Sequence, residues 1–190
     1  MSLMVEIFDD WITPFAENHG ILFEEYKNNK NKLKDVSGEF GTTWKLIPMW
    51  HSKFGEFPDI KKLVQLRKLI CNIPNSVFLH SVGLSIVPPG HEGNWHTETY
   101  TKNYKRFHVA LNSPETAVLK IFGEEDFHWE LGKVYDFTGV TTAEHRISYP
   151  NGEEERVVLL INCFSTEPTV DDINMATQEE FGYFNVGVNL

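Results

Sequence analysis

The chain has 190 residues, 41% apolar and 13% aromatic, and its 17 Lys and Arg against 27 Asp and Glu leave a formal net charge of −10. A chain of this length buries about 70% of its unfolded surface, so one domain spanning 1–190 is expected. A surface this acidic, with no block of Lys or Arg, argues against nucleic acid and against anionic membrane surfaces as partners.

In chain order, Thr13 followed by Pro14 marks a helix start, with Phe15, Leu22, Phe23 and Tyr26 as its apolar side and Gly20 as its weak point. The Lys- and Asn-rich run 27–34 reads as a solvated helix end or loop. A second helix has Pro58 near its first turn, carries Ile60, Leu63, Val64, Arg67 and Ile70 at helical spacing, and ends before Pro74. Residues 1–75 therefore form a partly helical N-terminal segment. From Val77 onward short apolar runs are cut by Pro88-Pro89-Gly90, Asn112-Ser113-Pro114, Gly123, Gly132, Gly139 and Pro150-Asn151-Gly152. That rhythm belongs to an antiparallel sandwich or barrel, whose core is placed at 76–165. Its clearest strand is 156–164, and its clearest hairpin turns at Asn151-Gly152. The polar, Gly- and Asn-rich stretch 166–190 reads as an appended C-terminal segment.

Cys71 and Cys163 are too few and too isolated for a disulfide framework, no apolar run approaches a membrane span, and the N-terminus lacks a signal-peptide pattern. A cytoplasmic protein is expected. Eight histidines make metal binding worth weighing, because imidazole is the commonest metal ligand. The His96-Thr97-Glu98 spacing puts two ligands on one face of a strand. Chance alone supplies about one His-x-acid pair in such a composition, and His128-Trp129-Glu130 is a second instance, read as without function.

A two-residue turn at Asn151-Gly152 places His145 opposite Val158, and Arg156 then shares a face with His145 at roughly 7–8 Å. That separation suits a ligand that chelates a metal at one end and presents a carboxylate at the other, as 2-oxoglutarate does. His96, Glu98 and His145 are candidates for the two-histidine, one-carboxylate facial triad of non-haem Fe(II) oxygenases. Only four of the 17 basic residues are Arg, and Arg106 alternates with His108 while Phe107, Val109 and Leu111 face the other way.

Ser85-Ile-Val-Pro-Pro-Gly, Trp95-His96-Thr97, Arg106-Phe107-His108, Trp129-Glu130-Leu131-Gly132-Lys133 with Phe137, Glu144-His145 and Arg156-Val157-Val158-Leu159-Leu160 occur in that order. Over about Trp44 to Phe164 the chain resembles the aspartyl/asparaginyl β-hydroxylase family. The resemblance implies a mainly β protein, a double-stranded β-helix (jelly roll, cupin-like) with N-terminal helices packed against it. It implies Fe(II), 2-oxoglutarate and O2 as cofactor and cosubstrates, with ascorbate as an assay additive, and a free amino acid or a peptide as substrate. Carried over by position, it implies that His96 and His145 hold the iron. It also implies that Arg106 and His108 contact one end of 2-oxoglutarate, and that Arg156 with the hydroxyl of Ser85 holds the other. Glu98 departs from animal members, which have glycine there; other relatives carry aspartate. Glu98 is either a third ligand or an acceptor for substrate or water.

His19, His51, His80 and His91 receive no role. Trp11, Trp44, Trp50 and Trp129 read as core, and Trp95 with Tyr100 as candidates for a substrate mouth. Two other functions compete with a hydroxylase. One is a non-catalytic metal-binding cupin used as a sensor or binding module, which has no need of two guanidinium groups near the ion. The other is a zinc hydrolase, which would need a separate general base.

Overall fold

The computed structural model describes residues 5–7, 9–34 and 44–181, so the last part of the expected C-terminal segment lies outside the described residues. Pro14 occupies the first turn of α1 (Thr13–Glu17), and α2 (His19–Asn29) follows after a break at Asn18, where the side chain caps back onto the carbonyl of Pro14. One apolar side therefore spans two short helices rather than one. Phe15, Leu22 and Tyr26 are buried by it. The second expected helix is likewise divided. Pro58–Lys62 is a 3-10 turn, Leu63 leaves helical geometry at φ −113° and ψ 76°, and α3 (Val64–Cys71) continues from there.

Among the described residues ten strands follow one another as β1 (Val5–Glu6), β2 (Lys45–His51), β3 (Gly55–Glu56), β4 (Phe78–Val87), β5 (His91–Glu92), β6 (Tyr104–Asn112), β7 (Val118–Ile121), β8 (Val134–Asp136), β9 (His145–Tyr149) and β10 (Arg156–Phe164). They form a seven-stranded sheet of order β1-β8-β6-β10-β4-β2-β3 and a three-stranded sheet of order β5-β9-β7. This is the antiparallel double-stranded β-helix that the motif order implied. β10 has the expected bounds and lies at the centre, paired with β4 on one side and β6 on the other. Three strands from the first 75 residues extend the larger sheet, so the β architecture starts well before residue 76.

Period-two alternation divides the larger sheet into two faces. Ile47, Met49, Val82, Leu84, Ile86, Phe107, Val109, Val157, Leu159 and Ile161 face outward and bury against Phe15, Leu22, Tyr26, Leu66 and Ile70 of the helices. Ala110, Tyr135 and Val158 face inward toward Leu119 and Ile121 of the smaller sheet. The polar residues Ser85, Arg106, His108, Arg156 and Asn162 share this inner face.

Asn151-Gly152 does not close a hairpin. β9 pairs with β5 and β7, β10 pairs with β4 and β6, and the residues between them cross from one sheet to the other. The Tyr149 hydroxyl donates to the carbonyl of Glu154 at 2.5 Å and ties this corner together, and a Cβ on Gly152 would collide with the Tyr149 hydroxyl. His145 and Arg156 consequently stand on facing sheets, not on one wall.

The segment after β10 is part of the body. Helix α5 (Val170–Phe181) buries Ala176 against Tyr104 and Phe164. Among the described residues no helix is long and apolar enough to cross a membrane.

Candidate metal and dicarboxylate site

His145 opens β9, and an isolated antiparallel bridge places His96 beside it, with the His96 N–H on the His145 carbonyl at 3.0 Å and the reverse bond at 2.9 Å. The N–H of Glu98 donates to the carbonyl of Thr141 at 2.7 Å, in the short helix α4 (Thr138–Thr141). These backbone bonds bring ligand atoms of His96, Glu98 and His145 to within 4.8 Å of one another.

Both imidazoles have their orientation and tautomer set from behind. Nδ1 of His96 lies 2.9 Å from the carbonyl of Asn94, and Nδ1 of His145 lies 2.8 Å from that of Ala143. A carbonyl only accepts, so in each neutral ring Nδ1 carries the hydrogen and Nε2 keeps its lone pair for a metal. Burial lowers the pKa of His145 and keeps it neutral. Two such nitrogens and one carboxylate are a donor set that fits Fe(II).

Glu98 is held by Arg106, whose Nη1 lies 2.6 Å from each carboxylate oxygen. The other N–H groups of Arg106 are also engaged: Nε donates to Asn162 Oδ1 at 3.0 Å, and Nη2 to the hydroxyls of Tyr100 at 2.5 Å and Tyr104 at 3.4 Å. The sequence placed this guanidinium on 2-oxoglutarate. In the structure it spends its donors on protein acceptors and stands behind Glu98.

Arg156 is its opposite. It is only 1% exposed, its guanidinium stacks over the Trp129 ring at 3.8 Å, and its Nε has no hydrogen-bond partner. No carboxylate among the described residues forms an ion pair with it, and burial alone pushes its pKa down to about 9, leaving it charged at neutral pH. Trp129 Nε1 and His108 Nδ1 are also buried without a hydrogen-bond partner among the described residues. His108 stacks on Phe137 at 3.9 Å and is kept neutral by burial and by the two guanidinium charges. Ser85 lies on the same face, in β4 opposite Val158 and two pairs from Arg156 in the register, and its hydroxyl accepts the Trp44 indole N–H at 2.7 Å, keeping its own hydrogen for another acceptor.

Sequence reading gave Trp129 to the core, not to Arg156, and passed over Asn162, Tyr104 and Glu180. The only signal for Asn162 was a lone amide in the apolar run of β10, on the same alternation as Arg156. Trp95 and Tyr100, proposed for a substrate mouth, separate. Trp95 lies under the Arg146 guanidinium at 5.0 Å and meets Phe122 edge to face, whereas Tyr100 is packed face to face on Tyr104 at 4.0 Å beside Arg106.

A family model described as aspartyl/asparaginyl beta-hydroxylase matches residues 6–166. No curated protein matches the sequence. Among solved structures, a prolyl-4-hydroxylase from Pseudomonas putida shares 16% identity and a TM-score of 0.53, covering 86% of this chain and 92% of that one. HygX from Streptomyces hygroscopicus, with nickel, 2-oxoglutarate and hygromycin B bound, shares 12% identity and a TM-score of 0.53, covering 87% and 84%. At these identities the likeness is one of fold.

Proposed function

Since the chain belongs to the aspartyl/asparaginyl β-hydroxylase family, we propose that it is a 2-oxoglutarate- and Fe(II)-dependent dioxygenase that hydroxylates an unactivated C–H of an amino acid, free or within a peptide. The observation that carries this reading is Arg156, a buried guanidinium on the inner face with no counter-ion among the described residues. A buried unpaired charge is costly, and a carboxylate supplied from outside would relieve the cost. The metal and the diacid seen in HygX come to this chain on that basis.

In this reading His96, Glu98 and His145 hold the metal, and Arg156 with the Ser85 hydroxyl receives the far carboxylate of 2-oxoglutarate. His108 stands beside the near end, a neutral ring locked by Phe137. When bound, Fe(II) with 2-oxoglutarate and O2 supplies the oxidising power, with succinate and CO2 released as the hydroxyl is delivered. The protein's own part is geometric. Arg106 fixes Glu98, the two backbone carbonyls fix the imidazoles, and Leu119, Ile121 and Val158 pack as a buried apolar cluster on the inner side of the sheets. A non-catalytic metal-binding cupin would gain nothing from Arg156. Cytoplasmic residence is part of the proposal, supported by two cysteines that are both free thiols.

The test is turnover. With Fe(II) and ascorbate, the purified protein is expected to convert 2-oxoglutarate to succinate slowly without substrate, and His145→Ala is expected to abolish this. Full turnover in that variant would remove His145 from the mechanism. A panel of amino acids and short peptides, read by accelerated succinate formation and by a product heavier by one oxygen, identifies the substrate.

A further inference from the structure

Helix α5 follows the segment that matches the family, yet it sends two carboxylates to the candidate site. Glu179 Oε1 accepts the N–H of Thr99, next to Glu98 in the chain, at 3.0 Å. Glu180 is buried, its side chain 7% exposed, and its Oε1 accepts three hydrogen bonds: from Tyr104 Oη at 2.6 Å, Ser81 Oγ at 2.9 Å and Asn162 Nδ2 at 2.9 Å.

These bonds determine direction further along. A carboxylate accepts only, so it requires the NH2 side of the Asn162 amide, which also donates to Ser81 Oγ at 2.8 Å. The amide oxygen is thereby turned to the Nε of Arg106, and Arg106 in turn grips both oxygens of Glu98. An unbroken line of hydrogen bonds, buried at Arg106–Asn162 and part-buried at both ends, runs from α5 to Glu98.

The other oxygen of Glu180 lies 3.9 Å from His51 Nε2 and 3.7 Å from His80 Nε2. Three such donors suggest a second metal site, but the hydrogen positions argue otherwise. The N–H of Lys53 donates to His51 Nδ1 at 3.0 Å, so the neutral ring carries its hydrogen on Nε2 and has no lone pair there for a cation. His51 instead turns an N–H dipole toward the carboxylate and supports it as an anion.

We propose that Glu180 is a positioning residue for the metal centre: from α5 it orients Asn162, which holds Arg106, which aligns Glu98 for the metal. The inference rests on the functional reading above, in which Glu98 is a ligand. Removing groups that orient metal ligands typically costs about 10–100-fold in metal affinity. Glu180→Gln keeps the volume but puts an amide where an acceptor is required.

Mn2+ binding to the full-length protein, measured by calorimetry, is expected to weaken about 10–100-fold in Glu180→Gln. The affinity for 2-oxoglutarate at saturating Mn2+ is expected to stay within about two-fold, because Arg156 lies outside this line. Unchanged Mn2+ affinity would overturn the inference, and so would equal weakening of both ligands, which marks a site loosened in general. If Glu180→Gln does not fold, Asn162→Leu breaks the same line without altering a residue of α5 and is expected to show the same split. Equal or absent effects there overturn the proposal. A wild-type protein that binds no Mn2+ overturns the functional reading and this inference together, an outcome distinct from failure of the variant alone.

Discussion

Arg156 and Arg106 are both buried guanidinium groups on the inner face of one sheet, and their surroundings make them chemically different. Arg106 is 8% exposed and compensated by Glu98, whereas Arg156 is 1% exposed and pairs with no carboxylate among the described residues. Replacing a buried ion pair by apolar side chains of similar volume is often neutral or stabilising by about 1–4 kcal/mol, and a lone buried charge has no partner to leave stranded. Arg156→Met is therefore expected to melt at or above the wild-type temperature in the absence of ligand. The same variant is expected to lose roughly 100-fold in 2-oxoglutarate affinity, as removal of one partner of a buried charge pair costs about 2–5 kcal/mol. Thermal denaturation beside a 2-oxoglutarate titration checks both signs, and a strongly destabilised variant would mean that Arg156 is structural. Alternation along Arg106-Phe107-His108 correctly divides polar from apolar faces. It cannot say which acid Arg106 meets, because Glu98 lies in an irregular stretch between β5 and β6 whose course depends on tertiary bonds to Thr141 and His145.

The corner between β9 and β10 shows what a turn dipeptide specifies and what it leaves open. Asn151-Gly152 reverses the chain, but pairing depends on which sheet each strand joins, and β10 finds longer partners in β4 and β6 than β9 offers. A local signal marks the bend and is silent on the partner. Strand bounds, by contrast, are legible wherever a continuous apolar run ends at charged or turn residues, as in β10. The helices divide for similarly local reasons at Asn18 and Leu63, where caps and φ/ψ interrupt a side that the apolar spacing treats as continuous. Gly152 gains a specific duty from the corner, since a Cβ there would occupy the place of the Tyr149 hydroxyl. Gly152→Ala must displace Tyr149, which is fully buried, and lose its bond to Glu154. The expected cost is about 1–3 kcal/mol, a fall of roughly 2–10 °C in melting temperature for a chain of this size. A melting temperature within one degree of wild type would show that the corner relaxes freely.

Across the whole molecule the buried histidines act together on stability. Burial lowers the pKa of His51 and of His80 to about 4, and depresses His91, His108 and His145 in the same direction. Each of these groups binds a proton more readily in the unfolded chain, whose histidines titrate near 6.5. Between about pH 6.5 and 4 the unfolded state therefore takes up more protons, and stability falls as pH falls. His51 and His80 contribute at most about 3 kcal/mol each if the full shifts are expressed. Glu180 works in the opposite sense, because burial raises its pKa and the folded state then retains a proton the unfolded state has released. A single carboxyl does not offset five imidazoles, so the urea midpoint is expected to drop steadily from pH 7 to 4.5, and less steeply in His80→Gln. A flat profile would show that these rings accept protons without unfolding. The same window bears on the metal site, where ligation requires neutral imidazole. Acid is thus expected to weaken metal binding at His145 and loosen the framework around Glu180 over one range of pH, so metal retention and fold stability should decline together.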